Sequence, residues 1–130
     1  STFAGNPVCA AAALATIDLL EGGLIENAAT LGPRLRAGLE RAAGGHGHVR
    51  DIRGIGLMQA VELASHEAAN AVEQEAFERG LLVLECGEAT LRLCPPLMID
   101  EAAVDTAASI FGEALAGAAR PEPGLQETGG

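Results

Sequence analysis

Lysine is missing altogether: all 8 Lys+Arg residues of the 130-residue chain are arginine. No side chain here supplies the primary amine that a Schiff base with a carbonyl compound requires. Tryptophan and tyrosine are also absent, and aromatic residues make up only 2%. Basic and aromatic residues do not alternate, which argues against a stacking platform for nucleic-acid bases. The formal net charge of -10 would in addition repel a phosphate backbone. Cys9, Cys86 and Cys94 are the only cysteines. Without C-x-x-C spacing they indicate neither a disulfide framework nor a zinc site; they read as buried apolar thiols kept reduced in the cytoplasm. No apolar run is read as approaching the roughly 20 residues of a membrane span. No signal-peptide pattern opens the chain, and its start, Ser1-Thr2-Phe3 without Met, reads as a point inside a longer polypeptide.

What is abundant is small and aliphatic. Hydrophobic residues make up 48%, enough for one domain core built from Ala, Leu and Val. Asn6-Pro7 predicts a helix start, because Asn caps through its side-chain oxygen and Pro at the first position gives up no useful donor. The Ala-rich helix that follows should run to about Glu21 and end at Gly22-Gly23. With so many alanines it is read as buried against something larger. A second helix is expected from about Ile25 to Ala43, kinked at Gly32-Pro33, with Leu31, Leu35 and Leu39 inward. The loop Gly44 to His48 comes next.

From Val49 the period becomes two. Val49–Arg53 reads as a half-buried strand, Gly54-Ile55-Gly56 as a turn, and Leu57–Leu63 as an antiparallel partner. Ala68–Arg79 is predicted to be an acidic helix with Ala69, Val72, Ala76 and Phe77 inward. Leu81–Leu84 and Thr90–Leu93 read as strands, and Asp100 as the cap of a last helix to about Ala118. Helices on one face of a small, mostly antiparallel sheet make an α+β domain. The divisions expected are a helical leader (1–23), the α+β unit (24–119) and a disordered Pro-, Gly- and Glu-rich tail (120–130).

Three segments carry a resemblance: Ser1-Thr2-Phe3-Ala4-Gly5-Asn6-Pro7, Arg53-Gly54-Ile55-Gly56-Leu57-Met58, and Cys86-Gly87-Glu88 followed by Leu91-Arg92-Leu93-Cys94-Pro95-Pro96-Leu97. In this order and spacing they resemble the C-terminal small domain of class III pyridoxal-phosphate aminotransferases, a fold-type I family that includes 4-aminobutyrate, ornithine and acetylornithine transaminases. The resemblance implies a homodimeric, cytoplasmic parent enzyme moving an amino group from an amino donor to a 2-oxo acid. It also implies that the Schiff-base lysine lies outside this chain, so that the chain alone is inactive. The Cys86-Gly87-Glu88 turn leans toward a 4-aminobutyrate-like donor.

Residue roles follow from the same resemblance. Thr2, helped by Ser1, is expected to hydrogen-bond the cofactor phosphate of the neighbouring subunit. A hydroxyl, adjacent backbone donors and an electropositive helix start suit that task. Arg92 is expected to bind the substrate carboxylate. If Leu91 and Leu93 face the core, Arg92 projects from the other side of the sheet beside Thr90 and Cys94, where a guanidinium grips a carboxylate through two parallel bonds. The bland readings are a loop threonine, and an arginine paired with Glu85 or Glu88.

Other signals are weaker. Arg53-Gly54-Ile55-Gly56 lacks the third glycine of a dinucleotide loop and precedes a strand, so its glycines serve a tight turn. His46 and His48 have no further ligand at metal spacing and read as a solvated loop. Glu67, Glu73, Glu75 and Glu78 read as the wet face of a helix. Two alternatives stay open: a non-catalytic α+β binding or regulatory module, and the small domain of an amino-acid racemase or epimerase of the same fold.

Overall fold

The computed structural model describes Thr2 and residues 4–119; Ser1 and the tail expected to be disordered (120–130) lie outside the described residues. Helix α1 spans Pro7–Leu19, with the Asn6 side chain accepting from the Val8 and Cys9 amides at 2.9 and 3.3 Å. Gly22-Gly23 does not release the chain into a loop. Leu20–Leu24 forms a single π-turn, and Gly23, at φ 130°, lets the backbone bend and resume directly as α2, Ile25–Ala43. That positive φ would strain a side chain. Helix α2 continues through Pro33.

Strands β1 (Val49–Ile55) and β2 (Met58–Leu63) form an antiparallel hairpin closed by Gly56 and Leu57. The expected turn at Gly54-Ile55-Gly56 is therefore tighter, since Gly54 and Ile55 still pair with Gln59 and Met58. Helix α3 spans His66–Glu78 and starts earlier than the apolar pattern indicated, because the Ser65 hydroxyl caps the Ala68 amide at 3.2 Å. Strands β3 (Leu84–Cys86) and β4 (Thr90–Leu93) complete an antiparallel sheet of order β1-β2-β4-β3. The run Leu81–Leu84 is not the buried strand its composition predicts: only Leu84 enters the ladder, and Leu82 and Leu84 are exposed. Helix α4, Glu101–Ala118, begins at Asp100, which accepts from the Ala103 amide at 2.8 Å.

Helices α2 and α3 lie against one face of the sheet, and α4 packs on both of them, sharing the same core. Leu35, Leu39, Val61, Val72, Leu91 and Phe111 are fully buried at the centre, each worth about 1.5–3 kcal/mol of burial. Gly38 and Gly112 let α2 and α4 approach closely, since a Cβ on Gly38 would stand 2.7 Å from the Ala108 side chain and one on Gly112 would stand 3.3 Å from that of Ala42. Phe77, expected inward, is 62% exposed. The cysteines are free, with Cys9 and Cys94 exposed and Cys86 half-buried, so the buried-thiol reading is corrected. Cys86 stands opposite Thr90, which leaves Cys94 beyond the ladder.

Helix α1 has no buried residue and, among the described residues, packs on nothing beyond the π-turn. Pro7–Ala43 also contains an 18-residue window of mean hydropathy 1.7, so by length and composition alone this stretch is apolar enough to cross a membrane. The reading that no run approaches a span is corrected to that extent. Asp18, Glu21 and the bend at Gly23 interrupt the stretch.

Candidate functional site

The sheet face opposite the helices is open, and Arg92 stands on it. Leu91 and Leu93 are buried while Arg92 is exposed, as the alternation L-R-L requires. Directly opposed residues of antiparallel strands share a face, so the register makes one row of Arg53, Ala60, Arg92 and Leu84, with Asp51, Glu62, Thr90 and Cys86 in the next. Ile55 and Met58 extend the same face and are exposed, as is Leu84. Arg92 therefore stands between Ala60 and Leu84 on a face that mixes exposed aliphatic and charged side chains.

The two arginines of the row differ in commitment. Arg53 Nη1 donates to Asp51 at 3.0 Å and to Glu62 at 2.5 Å. Those bonds, Asp51 first, raise the Arg53 pKa further above its ordinary value. Among the described residues Arg92 has no ion-pair partner. Glu85 opposes the buried Leu91 and so lies on the other face of the sheet, its Oε1 2.6 Å from His66 Nδ1. A free guanidinium on a half-apolar surface suits a carboxylate delivered beneath a cover, because excluding water strengthens the pair.

Thr2 is exposed in a turn ahead of α1. Donors in the first turn of α1 are largely spent: Pro7 has no N–H, the Asn6 side chain takes those of Val8 and Cys9, and the Ala10 amide bonds Asn6 O at 2.9 Å. A phosphate at this point would find the Thr2 hydroxyl and the field of the helix, with little direct help from those amides. Ser1 lies outside the described residues. The chain fits the phosphate end of the expected cofactor at most, for it has no lysine to bind the aldehyde carbon.

The remaining signals do not join this face. His46 and His48 are half-buried, their ring centroids 5.3 Å apart; burial first, then the neighbouring His46, pushes the His48 pKa down. The solvated-loop reading is thus too wet. No group of three metal-ligating side chains occurs among the described residues. On α3, Glu75 pairs with Arg79, and Glu67 titrates below its ordinary range because its own amide and the Ser65 hydroxyl hydrogen-bond its carboxylate. Two polar residues escaped the sequence reading. Gln59 is buried and donates to Gly56 O at 2.7 Å; a glutamine at an inward position of a strand was the available signal. Asn27 donates to Leu97 O and Ile99 O at 2.7 and 2.9 Å. Its poor helix propensity inside a helix was the signal there.

A family model for class III aminotransferases matches residues 1–115. Acetylornithine aminotransferase of Mycobacterium tuberculosis is 45% identical over 106 residues, which are 81% of this chain and 26% of that protein. Among solved structures, a Bacillus anthracis aminotransferase superposes with a TM-score of 0.83 at 30% identity, covering 89% of this chain and 29% of the other. Lysine aminotransferase of M. tuberculosis gives 0.74 at 32% identity, covering 79% and 24%. The chain thus spans about a quarter of the length of the relatives it matches. With the match running from the leader through β4 into α4, the chain belongs to the class III aminotransferase family.

Proposed function

We propose that this chain is the C-terminal small-domain part of an enzyme that transfers an amino group from an amino acid or ω-amino acid to a 2-oxo acid, and that Arg92 binds the carboxylate of those substrates. The observation that carries the reading is the exposed Arg92 guanidinium, which has no ion-pair partner among the described residues and stands between Ala60 and Leu84 on the open sheet face. Class III aminotransferases such as acetylornithine aminotransferase depend on pyridoxal phosphate. When bound, that group supplies the electron sink for proton removal beside the amine. This chain's part is to orient the substrate through Arg92 and, through Thr2 with Ser1, to hold the cofactor phosphate across a homodimer interface in the cytoplasm. The names of the relatives support an acetylornithine-like donor over the 4-aminobutyrate-like one toward which Cys86-Gly87-Glu88 leans.

Lacking lysine, the chain cannot anchor the cofactor covalently through a side chain, and alone it should not transaminate. Incubated with pyridoxal phosphate, an amino donor and a 2-oxo acid, it should yield no more new amino acid by mass spectrometry than the free cofactor does. Turnover above that of free cofactor would overturn this. In the complete enzyme, Arg92→Ala should raise KM for carboxylate substrates at least about tenfold, the scale for losing a charged hydrogen-bonded contact.

A further inference from the structure

The segment that leaves the Arg92 strand has few hydrogen bonds to hold it. Beyond Leu93 the ladder stops, Pro95 and Pro96 have no N–H to offer, and Leu97 and Met98 are exposed. One turn forms within it, with the Ile99 amide donating to Pro96 O at 3.0 Å. Ile99 packs against the core, and the side-chain hydrogen bonds come from the first turn of α2, where the carboxamide of Asn27 spends both hydrogens of Nδ2 on the carbonyls of Leu97 and Ile99. A planar NH₂ bonded twice fixes both the position and the rotation of the peptide run it grips. Asn27 also lies just past the π-turn that separates the exposed α1 from the packed body. The same amide therefore joins the helix bend to the exit of β4.

We propose that Asn27 is a positioning residue for Arg92: by clamping the Leu97–Ile99 carbonyls to the start of α2, it fixes the strand end from which Arg92 reaches the substrate carboxylate. This rests on the reading of Arg92 given above. Asn27→Asp keeps the shape and replaces both donors with an acceptor facing two carbonyls, so the clamp should open. Measured in the complete enzyme, it should raise KM for a carboxylate-bearing donor roughly three- to tenfold with kcat within about twofold, the size expected for losing one or two neutral hydrogen bonds. The slower reaction with a carboxylate-free primary amine should be unchanged.

The control is Arg92→Lys under the same two substrates. If Arg92→Lys leaves the preference for the carboxylate donor intact, the Arg92 reading itself falls, and the inference with it. If Arg92→Lys abolishes the preference and Asn27→Asp leaves it untouched, Asn27 alone is misassigned. Equal losses for both substrates in Asn27→Asp, with a lowered melting temperature, would mark a purely structural tie and also overturn the proposal.

Discussion

Gly32 illustrates how a missing side chain positions the hairpin that carries Arg53. A Cβ at Gly32 would lie 2.5 Å from the Gly56 carbonyl, and on the sheet side Gln59 already grips that carbonyl at 2.7 Å. Gly32→Ala gains up to about 1 kcal/mol of helix propensity. The clash is with backbone, which cannot rotate aside, and forced shifts of this kind cost about 1–3 kcal/mol. The clash should win. Gly22→Ala is the contrast, since nothing lies within 4 Å of its Cβ and its φ is not positive; it should be neutral or stabilising by up to about 1 kcal/mol. Urea unfolding of both variants checks the pair, and a stabilised Gly32→Ala would refute the contact. At this scale Arg92 was legible, because two leucines around an arginine in a strand leave it one direction to point. Asn27 was not, because its partners lie 70 and 72 residues away in sequence and no local pattern announces them.

Between elements, α2 and α4 are joined at their solvent edge by Arg34, whose Nε and Nη2 donate to the Asp105 carboxylate at 2.9 and 2.6 Å while Nη1 lies 2.8 Å from Glu101. The hydrogen bonds from Arg34, then the charges of Arg34 and Arg41, hold the Asp105 carboxyl below its ordinary value. A carboxyl whose folded pKa is depressed adds stability that is present above its unfolded pKa, about 4, and disappears as pH falls through the folded one. Asp105→Asn should therefore lower the melting temperature at pH 7, modestly because the pair is exposed. The gap from the parent chain should close as pH is lowered from about 5 toward 2. A gap that does not vary with pH would show that the carboxylate charge is not what matters. Elements with local signals were legible: Asn6 and Asp100 cap the helices they were expected to cap. Leu81–Leu84 misled because four consecutive apolar residues resemble a buried strand, whereas Leu82 and Leu84 point away from the core. Phe77 misled for the same reason, its outward direction being fixed by how α3 rotates on α4 and the sheet.

For the molecule as a whole, α1 stands uncovered among the described residues. Val8, Leu14 and Leu19 are 78%, 64% and 63% exposed, and Ala10 to Ala13 are bare as well. A helix that is apolar all round belongs in an interior, and an exposed apolar surface of this extent favours association. The relatives are about three times as long as this chain, so in a protein of their length the remainder is the natural cover. In the isolated chain only another copy is at hand. Dimers or larger species are therefore expected in sedimentation at high concentration. Replacing Leu14 and Leu19 together by Glu should shift them to monomer, since each added charge would have to be buried at the contact. The fold should survive, because neither side chain touches the core formed by α2, α3, α4 and the sheet. A parent chain that stays monomeric would show that α1 is not adhesive by itself. An oligomer that persists in the double variant would move the contact to the open sheet face, where Ile55, Met58 and Leu84 are also exposed, and Arg92 would then lie inside it.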